Sequence, residues 1–394
     1  MISLEGITNV FAEWFKDDLI RPVLILVCAM LLFNLPTVLY KIRMTLRGVM
    51  YFLFCWDKSW KKPQDPGAIF GPHLSQGLPV ERKTIYFVRH GESTWNDTFN
   101  KGHRTTGVFL LGFIPGLIKA LLYELYLLLS GKLDRYENMS LHFLSSHVSF
   151  RRESEQIILL FIFWIRPFSW FYDSPLSHLG LSQTEELSAF LRSRPTDGVE
   201  GEHLKILRGD PDAPPSKMVC SSLRRAVSTV AGGFRDRLSR RPDDKIMIID
   251  SLQEVSRNPD TLAITPPHTQ IQASWIERSS KMCDFQEIFD SQTDMSLYTG
   301  NKPLNTNGLK RMQDFCEFVY SPSVKENNVI VGGHSIWFRS FFNMFLPYSV
   351  HHVSKNKKIV NGGIVTFELM KADTRRGPKY MIDPKTIKVV YGGF

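Results

Sequence analysis

Five short β-prone runs end in clusters of polar residues or glycine and alternate with helical stretches. The runs are 84–88 (TIYFV), 218–221, 245–249, 328–332 and 363–369. Helical patterns fall at about 181–194, 222–239 and 306–320. Strands that alternate with helices predict an α/β fold, a three-layer sandwich with a mostly parallel sheet and helices on both faces. Ligands of such sheets bind beyond the carboxyl ends of the strands, so the polar residues there are the first candidates for a site.

A different pattern precedes the first strand. Residues 22–40 carry no charge and are apolar apart from Asn34 and Thr37. At about 1.5 Å per helical residue the run covers roughly 28 Å, close to the hydrocarbon thickness of a bilayer. Lys41, Arg43 and Arg47 follow it, a basic flank that predicts a catalytic domain facing the cytoplasm. A second apolar run, 49–56, is too short to span and suits an interfacial helix. Residues 1–60 are therefore expected to anchor the chain to a membrane, as a single pass or peripherally. Residues 61–80, rich in Pro, Gly and polar side chains, read as a linker. The catalytic domain is expected over 81–394. Within it an apolar insertion, 104–171, is interrupted by Pro115, Lys119, Glu124 and Arg166, which favours interfacial or core-packed helices over two crossings.

The chain has 394 residues, 43% hydrophobic and 22% charged, enough apolar content for a packed core. The net charge of +9 suits a phosphate site or an anionic membrane surface. No helix-turn-helix, zinc-finger or RNP-like pattern is present, and nucleic acid is not expected as a partner. The five cysteines (Cys28, Cys55, Cys220, Cys283, Cys316) are scattered and never spaced C-x-x-C, which argues against a disulfide framework or a zinc site.

Five short segments carry the chemistry. Arg89-His90-Gly91-Glu92 closes the first strand. It sets an imidazole, a competent nucleophile toward phosphorus, beside a guanidinium whose planar fork matches phosphate oxygens. Asp173-Ser174-Pro175-Leu176-Ser177 is a turn leading into a helix. In Ser221-Ser222-Leu223-Arg224-Arg225-Ala226 the serine is expected to cap a helix, with one arginine facing the pocket. Leu252-Gln253-Glu254 offers a carboxyl for proton transfer, and Gly332-Gly333-His334 a second imidazole. Two histidines, two or three arginines and one acid at separate strand ends make a phosphate pocket with a nucleophile. The arginines would repel a metal ion, and no metal or cofactor is expected.

In this order VRHGESTWN, DSPLSHLGLSQ, SSLRRAVST, LQE and VGGH resemble the histidine phosphatase superfamily, also called phosphoglycerate mutase-like, over about 82–103 and 172–370. The resemblance implies that His90 takes up the phosphoryl group. It places Arg89, Arg225 and His334 in the phosphate pocket, Glu254 as the general acid and Asn96 near the substrate. Two positions depart from the pattern. Ser335 stands where glycine commonly follows the second histidine, and Val-Ser-Arg-Asn-Pro-Asp-Thr after Glu254 lacks what glycolytic mutases carry there. The expected function is a metal-independent, membrane-attached phosphomonoester hydrolase. Its substrate would be a phosphorylated small molecule, lipid or protein. Mutase-type phosphotransfer and a membrane scaffold with little turnover are the alternatives. A sequon at Asn96-Asp97-Thr98 adjoins the nucleophile, where a glycan would block the site; a cytoplasmic domain avoids this.

Overall fold

The computed structural model describes residues 35–99, 117–125, 169, 171–193 and 198–394. The chain forms two compact units, 1–47 with 111–169, and 48–110 with 170–394.

The larger unit is built on one mixed sheet. Its strands are β1 (Glu81–Arg89), β2 (Ser216–Cys220), β3 (Ile246–Ile248), β4 (Thr293–Asp294), β5 (Asn328–Gly333), β6 (Ile364–Thr374), β7 (Gly377–Ile382) and β8 (Lys388–Tyr391). They lie in the order β4-β3-β2-β5-β1-β6-β7, with β8 also paired to β6. The five from β4 to β1 are parallel. β6 runs antiparallel to β1, β7 and β8. All five predicted strands are present, and the sheet is parallel on one side and antiparallel on the other.

Alternation along the strands decides which face each side chain joins. Tyr86 and Val88 point to one core with Met218, Cys220 and Ile330. Against it pack Leu187 and Leu191 of α4 (His178–Arg192), Leu207 of α5 (Val199–Arg208), Val227 and Val230 of α6 (Arg224–Gly233), and Phe285 of α8 (Phe285–Gln292). Ile85 and Phe87 point to the other core, with Val329 and Val331. There α9 (Gly308–Val319) supplies Phe315, and α10 (Ser335–Phe345) supplies Trp337, Phe338 and Phe341. Phe87 stacks on Phe338 with ring centroids 4.1 Å apart. The helix expected over 222–239 is two helices, α6 and α7 (Arg235–Arg240), meeting at Phe234.

Three expectations before and beside the sheet need correction. Residues 61–80 are not a bare linker. They contain α2 (Pro66–Ser75), begun by an Asp65 cap and Pro66 at its start. Phe70 of α2 is buried against Met370, Ala372 and Met381. The run 49–56 is no separate helix; most of it is the end of α1 (Leu35–Phe54), and Tyr51 and Cys55 are buried. Ser221 does not cap α6: the N-cap position is Leu223, which makes no side-chain cap bond, and the Arg224 N–H is taken by the Asp173 carboxylate.

Among the described residues no helix is long and apolar enough to cross a membrane. Residues 22–34 of the apolar run lie outside the described residues, as does most of the insertion 104–171. In the smaller unit Glu124, within the helical segment 117–125, accepts bonds from Lys41 (2.5 Å) and Ser169 (2.7 Å).

Candidate active site

The carboxyl ends of β1 and β5 meet because the His90 N–H donates to the Gly333 carbonyl at 3.1 Å. This brings the two histidines together, with ring centroids 5.0 Å apart. His90 Nδ1 lies 2.5 Å from the Gly91 carbonyl oxygen. A carbonyl only accepts, so Nδ1 holds the proton and Nε2 keeps its lone pair. The imidazole's pKa falls well below its usual value, first because burial disfavours the cation and then because Arg225 and Arg89 repel it. His90 is thus neutral, oriented and unprotonated at Nε2.

The loop after His90 is clamped from two sides. Gly91 N–H donates to Thr229 Oγ1 at 3.0 Å, and Glu92 N–H to Gln183 Oε1 at 2.8 Å. Ser177 donates to Glu92 twice, from its N–H to the carbonyl and from its hydroxyl to the carboxylate, each at 2.9 Å. The close approach needs glycine on both sides. A Cβ on Gly91 would lie 2.6 Å from the Gly180 carbonyl oxygen.

Of the two arginines opening α6, Arg225 faces the pocket. Its Nη1 donates to the Asp260 carbonyl at 2.8 Å and its Nη2 lies 3.3 Å from the Asp260 carboxylate. Arg224 turns away and donates to the Asp173 carbonyl at 2.9 Å. The Asp173 carboxylate receives the N–H groups of Arg224 (3.0 Å) and Ile264 (2.9 Å). Asp173 holds a φ of 48°, a left-handed conformation that aspartate tolerates better than most residues. His334 is fully buried, and its Nε2 pairs with Ser221 Oγ at 2.8 Å. That pairing is the use the fold makes of Ser221.

Glu254 sits at the start of α10. Its Oε1 accepts the N–H groups of Val255 (2.9 Å) and Trp337 (2.7 Å), and its Oε2 that of Ile336 (3.2 Å). Arg89 donates to the Ile359 carbonyl at 2.5 Å. Burial lowers its pKa to about 10, partly offset by Glu254.

A cavity of about 200 Å³ lies over this cluster. Arg89, His90, Asn96, Arg225 and Glu254 line it. His334 lies behind His90, so the six sequence-predicted residues come together in one place. Sequence reasoning gave no site role to Asp260 and Lys358, which line the cavity, to Asn361, which does so while donating to the His90 carbonyl at 3.1 Å, or to Ser174, which lies in a segment it singled out and 3.4 Å from Arg225. Asn361 precedes Gly362, whose φ is 73°, and this Asn-Gly turn was the one signal available for it.

Three buried polar atoms of the cluster have no hydrogen-bond partner among the described residues: Arg89 Nε, His334 Nδ1 and Asp260 Oδ1. Buried polar groups are nearly always satisfied, and unpaired atoms gathered beside one cavity point to a polar ligand.

No family model and no curated protein matches the chain. Several solved structures do. A mycobacterial glucosyl-3-phosphoglycerate phosphatase complexed with VO3 is 13% identical, with 79% of this chain and 100% of that chain covered and a TM-score of 0.31. The ecdysone phosphate phosphatase of Bombix mori, complexed with tungstate, is 14% identical over 77% of this chain and 93% of that one, TM-score 0.32. A phosphoglycerate mutase of Bacillus anthracis is 12% identical over 77% and 92%, TM-score 0.31. Two of these three are phosphatases and one is a mutase. At this degree of likeness no activity transfers, and the chemistry rests on this chain's own residues.

Proposed function

We propose that the protein is a phosphomonoester hydrolase working through phospho-His90. The observation that carries this reading is a neutral, buried imidazole locked through Nδ1 and set beside Arg89 and Arg225 in one cavity. In the first step the Nε2 lone pair attacks phosphorus and the P–O ester bond breaks. The leaving oxygen takes a proton from the Glu254 carboxyl. In the second step water attacks phospho-His90, Glu254 takes back a proton, and phosphate leaves with the imidazole restored. Arg89, Arg225 and His334 hold the phosphoryl oxygens, whose charge is spread in the transition state. Asn96, on α3 (Thr94–Phe99) at the cavity wall, contacts the rest of the substrate.

The reading includes attachment to a membrane with the catalytic domain on the cytoplasmic side. Its support is the uncharged run 22–40 with its basic flank, and an exposed apolar stripe on α1. Leu35, Leu39, Ile42, Leu46, Val49 and Leu53 recur every three or four residues and all are solvent-exposed. Such a stripe lies along a single helix face.

The chemistry is tested by incubating the full chain with radiolabelled p-nitrophenyl phosphate and quenching. An acid-labile, alkali-stable phosphoprotein is expected, absent in His90→Ala. Equal turnover by that variant overturns the nucleophile. Product analysis with a bisphosphate donor separates hydrolysis from phosphotransfer. The membrane part is tested by flotation of the full chain with vesicles containing anionic lipid; a chain that stays at the bottom of the gradient without detergent overturns it.

A further inference from the structure

The strongest polar cluster outside the cavity joins the segment after α1 to the loop that carries Glu254. Asp57 and Lys302 are both fully buried at their side chains, and Nζ of Lys302 lies 2.7 Å from Asp57 Oδ2. The same ammonium donates to the carbonyls of Glu254 (2.5 Å) and Ser256 (2.9 Å). Arg311 grips Asp57 with Nη2, 2.7 and 2.8 Å from the two carboxylate oxygens, and donates Nη1 to the Gln253 carbonyl at 2.5 Å. The Asp57 carbonyl in turn accepts the Gly308 N–H at 3.2 Å at the start of α9. One carboxylate therefore holds two cations, and those cations hold three of the four carbonyls of the loop 253–256.

Neither cation has another carboxylate within ion-pair distance among the described residues. A buried ammonium or guanidinium stripped of its counter-charge is costly, and the structure around it shifts to find compensation. The carbonyls of Gln253, Glu254 and Ser256 are what would shift. The Glu254 side chain is held from the other end by the N–H groups at the start of α10, so its carboxyl is clamped between α10 and this cluster.

We propose that Asp57 is a positioning residue of the active site: through Lys302 and Arg311 it fixes the backbone of the 253–256 loop and so the place of the Glu254 carboxyl. This rests on the phosphatase reading above. It makes the segment after α1 part of the catalytic body rather than a tether. Tyr51, whose hydroxyl donates to the Pro303 carbonyl at 3.3 Å, ties the end of α1 to the residue after Lys302. The end of α1 and the loop that carries Glu254 are thereby joined by a short run of contacts.

The test uses the full chain with Asp57→Asn, which keeps the side-chain shape and removes the charge. Turnover is measured on p-nitrophenyl phosphate, whose leaving group needs no proton, and on 2-glycerophosphate, whose leaving group does. Amide hydrogen exchange is followed at 253–257 and 335–338. The expected result is a loss of about a hundredfold on 2-glycerophosphate and no more than about threefold on p-nitrophenyl phosphate, since general acid catalysis is what a displaced Glu254 forfeits. Exchange is expected to quicken in those two segments. Should Asp57→Asn not fold, Arg311→Lys keeps the charge while breaking the two-oxygen grip, and a smaller change in the same ratio, about tenfold, is expected. An equal loss on both substrates, or unchanged exchange at 253–257, overturns the proposal. A wild-type chain that turns over neither substrate, with exchange at 253–257 still quickened by the substitution, overturns the phosphatase reading and leaves the positioning of the loop by Asp57 in place.

Discussion

Asp260 holds Arg225 by two routes, its carbonyl accepting from Nη1 at 2.8 Å and its carboxylate lying 3.3 Å from Nη2. The guanidinium assigned to the phosphate is therefore aimed by an anion that itself lines the cavity. Burial raises the Asp260 carboxyl to about 6, with Arg225 opposing the rise.

That shift fixes the sign of a stability change. A carboxyl whose folded pKa lies above its unfolded value of 3.8 binds more proton in the fold between the two values. Its contribution is most favourable below about 4 and is lost as pH rises through about 6. Asp260→Asn removes this titration. Relative to wild type, the variant is expected to gain stability from pH 4 to pH 6.5, on the order of 2 to 3 kcal/mol. Its turnover is expected to fall about tenfold as Arg225 loses its aim. Urea unfolding at the two pH values checks the first outcome; a flat difference would mean that Asp260 does not titrate in this window.

The two buried histidines act in the opposite direction. Burial is the leading cause that depresses both His90 and His334 well below 6.5, with Arg225 next. Below pH 6.5 the unfolded chain takes up protons that the fold refuses, so stability falls as pH falls. Each histidine contributes a slope of about 1.4 kcal/mol per pH unit. His90→Asn is expected to remove one such slope, so its stability relative to wild type rises as pH drops from 7 to 5.5. The difference between parallel unfolding titrations is the measurement, because it cancels the groups common to both chains.

Residues close in sequence and tied to one strand end were legible; residues joined across the fold were not. His90, Arg89, Arg225, Glu254 and His334 each follow a strand-like run, and the parallel sheet gathers such ends by construction. The residues alone left open which arginine of the pair faces the pocket and the resemblance pointed to Arg225; the structure turns Arg224 to Asp173. Asp57, Lys302 and Arg311 have no such mark, since Asp57 and Lys302 meet across 245 residues. α10 was missed because its aromatic run suits a strand as well as a helix. α2 was hidden by its Pro and Gly content, although Asp65-Pro66 is a helix-start signature. Lys358 sits on a loop and Asp260 in the one-turn 3-10 helix Pro259–Thr261, both too short for any periodicity to point at a cavity.

Glu254 offers a test that separates its role from its packing. Both of its oxygens accept main-chain N–H groups, and a glutamine keeps the shape while turning one acceptor into a donor. Glu254→Gln is expected to lose about 10²-fold or more on an alkyl phosphate and to retain most activity on p-nitrophenyl phosphate. It also faces N–H groups with an amide NH2, so a loss of about 1 to 3 kcal/mol of stability is expected beside the kinetic effect. Proportionate loss on both substrates would assign Glu254 to holding α10 and not to proton transfer.

Gly180 is expected to be the position where the smallest substitution does the most harm. A Cβ built there overlaps the carbonyl oxygen of Glu92, a backbone atom that cannot rotate away. The Glu92 carbonyl is also the acceptor for Ser177 N–H, so relieving the overlap means parting the two loops and breaking that bond. His90 lies two residues from Glu92, and its Nδ1 partner is the Gly91 carbonyl between them. Gly180→Ala should therefore displace the nucleophile from a position that does not itself line the cavity. A shift of about 1 Å at a reacting group costs on the order of 10²-fold in rate, and forced overpacking costs about 1 to 3 kcal/mol. Gly71→Ala, in α2 with no atom from outside its own stretch of chain within 4 Å of the added carbon, is the control for rate. It should leave the rate unchanged; because Pro72 follows and disfavours a Cβ on helical backbone before it, a small loss of stability is expected. Rates on p-nitrophenyl phosphate and thermal midpoints of both variants decide the matter. Full activity in Gly180→Ala would show that the two loops can separate without moving His90, and the clamp would then have no part in setting the nucleophile.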